Sequence, residues 1–274
     1  MFQILQEMLS YDFLRRALVV GVLVSLCASL LGVSLVLKRY AMIGDGLSHV
    51  GFGALAVANA LQLQPLVVTI PVVIVAAFFL LRISENSKLK GDSAIALISS
   101  GALALGVITV SVNGTNTDLS NYLFGSILSV SQKDQWLSIG LCALVLVIYV
   151  VFYNRIFSIT FDEDFSKATG LHTSWYNMVI AMMTAITIVL GMRLMGTLLI
   201  SSLIIFPALS SMRVWKHFFQ VVLSSGVLSV LCFLAGMVIS YKYELPSGAS
   251  VVMVNVIVFL LFSVVGLILQ RKRT

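Results

Sequence analysis

Residues 17–37, ALVVGVLVSLCASLLGVSLVL, form an apolar run that contains no charged side chain. An α-helix rises about 1.5 Å per residue, so a run of this length reaches across the roughly 30 Å hydrocarbon core of a bilayer. Backbone N–H and C=O groups that face hydrocarbon must be hydrogen-bonded within the segment, and a helix achieves this. The run therefore predicts a membrane-spanning α-helix.

Eight further apolar runs follow along the chain, and charged or polar connections separate them. They lie at about 42–62, 65–82, 92–112, 134–153, 173–192, 196–212, 218–240 and 248–269. The 196–212 run is short and contains Pro207, which predicts a broken helix or one packed inside the protein. The sequence thus predicts an all-α, polytopic membrane protein with eight or nine spans, folded as one transmembrane domain over residues 1–274.

The composition of the whole chain agrees with this class of fold. Of its 274 residues, 59% are hydrophobic and 10% are charged, whereas an average soluble domain has roughly 45–50% apolar and about 25% charged residues. This balance excludes a soluble enzyme, a nucleic-acid-binding domain and a disordered chain. The sequence also lacks a G-x-x-x-x-G-K-[ST] phosphate loop. Any energy for transport must therefore come from an ion gradient or from a separate subunit.

The charges at the ends of the runs predict how the chain is oriented. Residues 1–16 have the pattern of a short amphipathic helix that lies at the membrane interface. Lys and Arg are enriched in cytoplasmic loops, and a cytoplasmic C-terminus places most of the basic loop residues inside, Lys38 and Arg39 among them. With nine spans the N-terminus is then outside, and with eight spans it is inside.

One acidic residue, Asp45, lies inside a predicted span, in the stretch MIGDGLSHVGFGALAV at 42–57. His49 follows four residues later, so a helix places both side chains on one face. Ionisable residues within a membrane are costly and are candidates for function. Three interpretations are open: Asp45 is a helix N-cap with His49 at the interface, the pair relays protons, or the pair binds a divalent metal. A symmetric dimer would provide two Asp and two His ligands.

A second polar stretch, FDEDFSKATGL at 161–171, lies in the longest predicted cytoplasmic connection. Asp162, Glu163 and Asp164 at its start and Gly170 near its end are typical signals for the beginning and end of a helix. An isolated helix this short would be marginally stable in water. The stretch therefore predicts either a short helix docked against a partner or a solvated acidic loop.

Four stretches together resemble the permease subunits of bacterial ABC importers for zinc and manganese, and they occur in the family's order. They are MIGDGLSHVGFGALAV at 42–57, YLFGSILSV at 122–130, ITFDEDFSKATGL at 159–171 and GTLLISSLIIFPALSSM at 196–212. The resemblance covers nearly the whole chain. One departure is PALSS at 207–211, where the family more usually has PA-x-A, and it concerns packing more than chemistry.

The resemblance implies a homodimeric pore with the type II (vitamin B12-type) importer fold, in the bacterial cell membrane. It implies two cytoplasmic ATP-binding subunits and an extracellular or periplasmic metal-binding protein as partners, and a transported Zn²⁺ or Mn²⁺, zinc first, without a permanently bound cofactor. The metal ligands fall on Asp45 and His49. A coupling helix to the ATPase falls on 162–170, with Asp162, Glu163, Asp164, Phe165, Lys167 and Gly170, and an external gate falls near Phe124, Gly125 and Ser126.

Two other classes of function are compatible with the composition. An ion-coupled secondary carrier would use Asp45 to exchange protons or cations, although no internal repeat typical of such carriers is apparent in the sequence. A structural membrane subunit without a transport pathway would leave metal uptake independent of Asp45.

Overall fold

The computed structural model describes residues 10–86, 91–112 and 132–271, and within these ranges the regular structure is helical. The helices in chain order are α1 (Asp12–Leu37), α2 (Ala41–Ala60), α3 (Pro65–Asn86), α4 (Gly91–Val112), α5 (Gln132–Val151), α6 (Tyr153–Phe161), α7 (Glu163–Ala168), α8 (Thr173–Met195), α9 (Thr197–Val214), α10 (Phe218–Tyr243) and α11 (Ser247–Arg271). The predicted all-α fold is confirmed.

Nine helices in the described ranges are long and apolar enough to cross a membrane, namely all except α6 and α7. The higher of the two predicted span counts is therefore the one that fits. The short run at 196–212 forms the continuous helix α9, and Pro207 is buried inside it. Of the two expectations for this run, packing inside the protein is confirmed and a broken helix is wrong.

Helix α1 begins at Asp12, so residues 12–16 continue directly into the first spanning helix. The interfacial position predicted for residues 1–16 stays a prediction. Leu14, Ala17 and Leu18 are buried, so the packed face of the helix continues into residues 12–16. The side chains of Asp12 and Arg15 form an ion pair at 2.9 Å on the exposed side. Residues 1–9 of the predicted interfacial helix lie outside the described ranges.

Helices α1, α2 and α8 form the buried centre of the bundle, and α4, α5 and α11 are its most exposed spans. Glycines allow the central helices to approach their neighbours closely. A side-chain carbon at Gly32 of α1 would collide with the backbone carbonyl of Ile204 in α9, and one at Gly53 of α2 would collide with the carbonyl of Ala102 in α4. Small residues play this role in membrane helix packing generally, and here they bring α1 against α9 and α2 against α4.

Serine hydroxyls join α1 to α10 across the helix interface. Ser225 Oγ donates to the carbonyl of Ser29 at 3.3 Å, and Ser229 Oγ donates to the carbonyl of Ser25 at 2.9 Å. All four residues are buried. Interhelical hydrogen bonds of this kind contribute about 0.6 kcal/mol each on average in a membrane protein. These hydrogen bonds fix the relative position of α1 and α10, whose contact otherwise consists of apolar packing.

Candidate functional site

Asp45 and His49 lie on one face of α2, one helical turn apart. His49 Nε2 is 3.6 Å from Asp45 Oδ2, with 43% of the Asp45 side chain and 25% of the His49 side chain exposed. Gly46 places Ile95 and Ser99 of α4 beside this turn, and Gly44 packs against Ile204 of α9. The two side chains share one face of α2, as the i, i+4 spacing predicts, and this face lies between α4 and α9.

Ser201 of α9 is a third member of the site, and the sequence reasoning missed it. Its hydroxyl donates to Asp45 Oδ1 at 3.2 Å and also lies 3.2 Å from the carbonyl of Thr197, one turn earlier. Ser201 stands in the GTLLISSLIIF stretch that the sequence singles out, but nothing in the sequence relates it to Asp45. The bond leaves Asp45 Oδ2 directed at His49.

The structure decides against the N-cap interpretation of Asp45. The residue that precedes α2 is Tyr40, which makes no side-chain capping bond, and Asp45 is the fifth residue of the helix. Its carboxylate contacts His49 and Ser201, and a capping residue would instead accept backbone N–H groups of the first turn. Asp45 is thus an ionisable residue in the interior of a spanning helix.

The pair has unused bonding capacity. His49 Nδ1 is buried, and no hydrogen-bond partner for it is found in the described part of the chain. A carboxylate that faced lipid would cost about 2.5–3.5 kcal/mol on insertion scales, so protein, water or an ion must cover the exposed part of Asp45. Among the described residues, no group of three or more His, Cys, Asp or Glu side chains could hold a metal ion. In the described part of one copy, Asp45 and His49 are therefore the two such side chains that meet at this point.

The predicted short helix in the polar connection is present as α7, and it is shorter than 161–171. Asp162 is its N-cap, because Oδ1 accepts a hydrogen bond from the backbone N–H of Phe165 at 2.8 Å. At the other end Gly170 has φ +84°, a conformation that favours glycine. The backbone N–H of Leu171 then donates to the carbonyl of Ser166 at 3.0 Å. The start and stop signals read from the sequence are confirmed.

Glu163 anchors α7 to two spanning helices. Its carboxylate lies 3.2 Å from Lys38 Nζ at the end of α1, and Asn177 of α8 donates Nδ2 to it at 3.2 Å. Lys167, one turn further along α7, is also 3.2 Å away. Burial alone would raise the pKa of Glu163, but the charge of Lys38 and the hydrogen bonds from Lys38, Lys167 and Asn177 lower it overall.

The remaining face of α7 is exposed. Ser166 is buried, with its hydroxyl 2.9 Å from that of Ser158 in α6. Asp162, Asp164, Lys167 and Gly170 are exposed, and so is Phe165 with 62% of its surface accessible. Aromatic side chains are enriched at protein-binding surfaces, whereas Lys and Asp are depleted there, so Phe165 is the residue of this face that most resembles such a surface. Beside it, residues of α7, of the end of α3 and of the start of α8 line an open cavity of about 630 Å³.

The predicted external gate, Phe124, Gly125 and Ser126, lies outside the described residues. The helix that follows this segment, α5, is fixed near its start by an ion pair that the sequence analysis did not anticipate. Arg193 near the end of α8 lies 2.9 Å from Asp134, with 27% and 17% of the two side chains exposed. This pair joins α5 to α8 at the end of the bundle opposite α7.

The described chain is thus a bundle of spanning helices with an ionisable pair in its interior and a small helix anchored between two spans. Residues 10–266 match the model of the ABC 3 transport family, and the chain belongs to this family.

Some relatives that are similar to this chain over nearly its full length are named for manganese, and others are named for zinc. The manganese import system permease protein ScaB of Streptococcus gordonii is 29% identical over 94% of this chain and 93% of its own. The high-affinity zinc uptake system membrane protein ZnuB of Haemophilus influenzae is 29% identical over 92% of this chain and 97% of its own. The solved PsaBC structure from Streptococcus pneumoniae superimposes with a TM-score of 0.85 at 28% identity, covering 95% and 94% of the two chains.

Proposed function

We propose that this chain is the permease subunit of an ATP-driven importer of a divalent transition metal. The observation that carries the proposal is the Asp45–His49 pair, an interior carboxylate and imidazole that face the groove between α4 and α9 with bonding capacity left unused. Carboxylate and imidazole are ligands of zinc and manganese. The names of the relatives point to the same class of cargo.

One copy supplies two candidate ligands, Asp45 and His49, whereas a protein zinc site usually has four ligands, and this difference supports a homodimer. Two copies that face each other across α2, α4 and α9 would bring two Asp45 and two His49 side chains to one axis. The pair itself is open to such a contact, because 43% of the Asp45 side chain is exposed. The same arrangement would shield both carboxylates from lipid, which removes the cost of exposing them.

The ion is held only transiently in this mechanism. A site for conduction must bind well enough to admit an ion and weakly enough to release it, and partly exposed side chains on opposed helices suit that requirement. An external metal-binding protein delivers the ion, and two cytoplasmic ATP-binding subunits dock on the exposed face of α7. Their closure shifts the two copies as rigid bodies between outward and inward access. In this mechanism the chain lies in the plasma membrane of a bacterial cell, and α7 and the C-terminus are on its cytoplasmic side.

The identity of the metal rests on a mixed donor set. Imidazole and carboxylate both bind zinc, whereas manganese prefers oxygen ligands such as carboxylate, and the two named relatives are equally similar to this chain. The preference for zinc drawn from the sequence stays a prediction. Uptake of radioactive zinc in the presence of increasing manganese, and the reverse, measures the preference directly.

The test of the function is metal accumulation in cells whose own importers have been deleted. Asp45→Asn and His49→Ala are each expected to lower accumulation at least tenfold at equal membrane abundance. Asp12→Asn is the matched control, since it makes the same chemical change at an exposed position at the start of α1. Normal uptake with both site variants would contradict the proposed pathway.

A proton-coupled carrier makes a different prediction for reconstituted vesicles. If the chain is an ABC permease, uptake requires ATP and the ATP-binding subunits, and a protonophore leaves it unchanged. If uptake continues without ATP and stops when the protonophore is added, the secondary-carrier alternative is correct.

A further inference from the structure

The turn between α1 and α2 joins a central helix of the bundle to the helix that carries Asp45 and His49. It consists of Lys38, Arg39 and Tyr40. Arg39 has φ +63°, in the left-handed region that costs a residue other than glycine about 1–2 kcal/mol. Backbone N–H groups of all three residues donate to carbonyls in the last turn of α1, at 2.8–3.1 Å. The turn is therefore short and closed, so a displacement of Lys38 is passed to the first turn of α2.

The ammonium group of Lys38 is buried in a polar cluster below this turn. Only 8% of the side chain is exposed, and Nζ donates both to Glu163 Oε2 at 3.2 Å and to Asn177 Oδ1. Asn177 is 5% exposed and donates in turn to the other oxygen of Glu163. Lys38, Glu163 and Asn177 thus form a closed triangle between the α1–α2 turn, α7 and α8.

The two cations beside Glu163 have different positions in the fold. Lys167 belongs to α7 itself and has 54% of its side chain exposed, and its bond to Glu163 lies within α7. Lys38 is separated from Glu163 by 125 residues and belongs to a different element. A buried lysine is costly unless it is paired, and this one is paired across elements at the point where α2 begins.

We propose that Lys38 is a positioning residue that connects α7 to α2, so that a shift of α7 moves the start of the helix that bears Asp45 and His49. The proposal rests on the proposed function and adds a route for coupling. Asp45 is the fifth residue of α2 and lies about 6 Å along the helix from its start. A partner that pushes on the exposed face of α7 therefore acts on the ion site through one buried ion pair and one short turn.

The test uses the full transporter, reconstituted in vesicles with its ATP-binding subunit and its metal-binding protein. The quantity measured is the number of metal ions taken up per ATP hydrolysed. Lys38→Met keeps the apolar length of the side chain and removes its charge and hydrogen bonds. It is expected to lower the ratio at least fivefold while ATP hydrolysis continues, and Lys38→Arg is expected to recover at least half of the loss.

The ratio separates positioning from a merely structural role. A variant that simply folds less well lowers uptake and hydrolysis together and leaves the ratio unchanged. Arg15→Met is the matched control, because it removes a cation and its ion pair at the other, exposed end of α1. If Lys38→Met cannot be purified, Glu163→Gln weakens the same bond from the α7 side and is expected to lower the ratio in the same direction.

The outcomes distinguish this inference from the function on which it rests. A ratio for Lys38→Met, or for Glu163→Gln in its place, equal to that of the wild type overturns the role of Lys38 and leaves the importer proposal intact. A wild-type complex that hydrolyses ATP but moves no metal overturns the proposed function, and this inference with it.

Discussion

The pair Asp45–His49 and the cluster Lys38–Glu163–Asn177 are built from similar side chains and differ in how fully they are satisfied. In the pair, His49 Nε2 lies 3.6 Å from Asp45 Oδ2 and both side chains are partly exposed. His49 Nδ1 has no hydrogen-bond partner in the described part of the chain. In the cluster, Lys38 and Asn177 are each bonded to Glu163 and to each other, and both are buried. The difference teaches that the pair is suited to bind and release a ligand, whereas the cluster is suited to hold elements together.

Thermal stability should separate the two regions most strongly. Lys38→Met removes the buried cation that bonds both the Glu163 carboxylate and the Asn177 amide, and the loss of a hydrogen bond to a charged group typically costs about 1.5–3 kcal/mol. Asp45→Asn removes only a long, partly exposed contact and is expected to cost less than about 1 kcal/mol. Unfolding can be followed with a thiol-reactive dye, because Cys27, Cys142 and Cys232 are free and buried. Equal losses of stability in the two variants would contradict the distinction.

The N-cap of α7, Asp162, precedes the cluster residue Glu163, and its replacement should have a smaller effect on stability than Lys38→Met. Asp162→Ala removes the acceptor for the Phe165 N–H and is expected to destabilise α7 by about 1 kcal/mol. Faster amide hydrogen exchange across 163–168 is the measurement. Asp162→Asn keeps a good capping side chain and should exchange nearly as slowly as the wild type. Equal exchange in the alanine variant would show that tertiary contacts alone hold α7.

The stability that Glu163 provides should depend on pH. Its pKa in the folded chain is lowered, so its ionised form stabilises the fold above its ordinary pKa of 4.5, and this stabilisation is lost as pH falls through the folded value. The difference in melting temperature between the wild type and Glu163→Gln should stay constant near neutral pH and shrink below about pH 4.5. A difference that grows on acidification would contradict the assignment.

Ser201 allows the smallest change to the pair. Ser201→Ala removes one hydrogen bond to Asp45 and leaves both proposed ligands in place. The loss of one hydrogen bond to a charged group corresponds to about 1.5–3 kcal/mol at most, and less where solvent can replace it. We expect a several-fold increase in the metal concentration for half-maximal uptake with an unchanged maximal rate. Ser202→Ala, at a buried position whose hydroxyl bonds within its own helix, is the control.

Local signals in the sequence predicted the elements that depend on neighbouring residues. The apolar runs gave the spans, the i, i+4 spacing placed Asp45 beside His49, and Asp162 and Gly170 marked the start and end of α7. The sequence did not show that residues 12–16 are continuous with the first span, because the packed face of α1 extends beyond the apolar run.

Contacts between distant residues could not be predicted in this way. Ser201 meets Asp45 across 156 residues and Lys38 meets Glu163 across 125 residues, and both contacts depend on how the helices pack. The charge of Lys38 served only as a sign of orientation in the sequence. Its low exposure and its two hydrogen-bond partners become apparent only in the folded chain.

The central claim is that two copies of the pair share one ion, and a mixed dimer tests it most directly. Wild-type and Asp45→Asn subunits that carry different affinity tags are co-expressed, purified through both tags and reconstituted with the partner subunits. If one ion is shared, a single altered copy is expected to lower ATP-driven metal uptake to less than about a tenth of the wild-type rate, since roughly 1.4 kcal/mol of lost stabilisation is a tenfold effect. Uptake near half of the wild-type rate would show two independent pathways and would contradict the account.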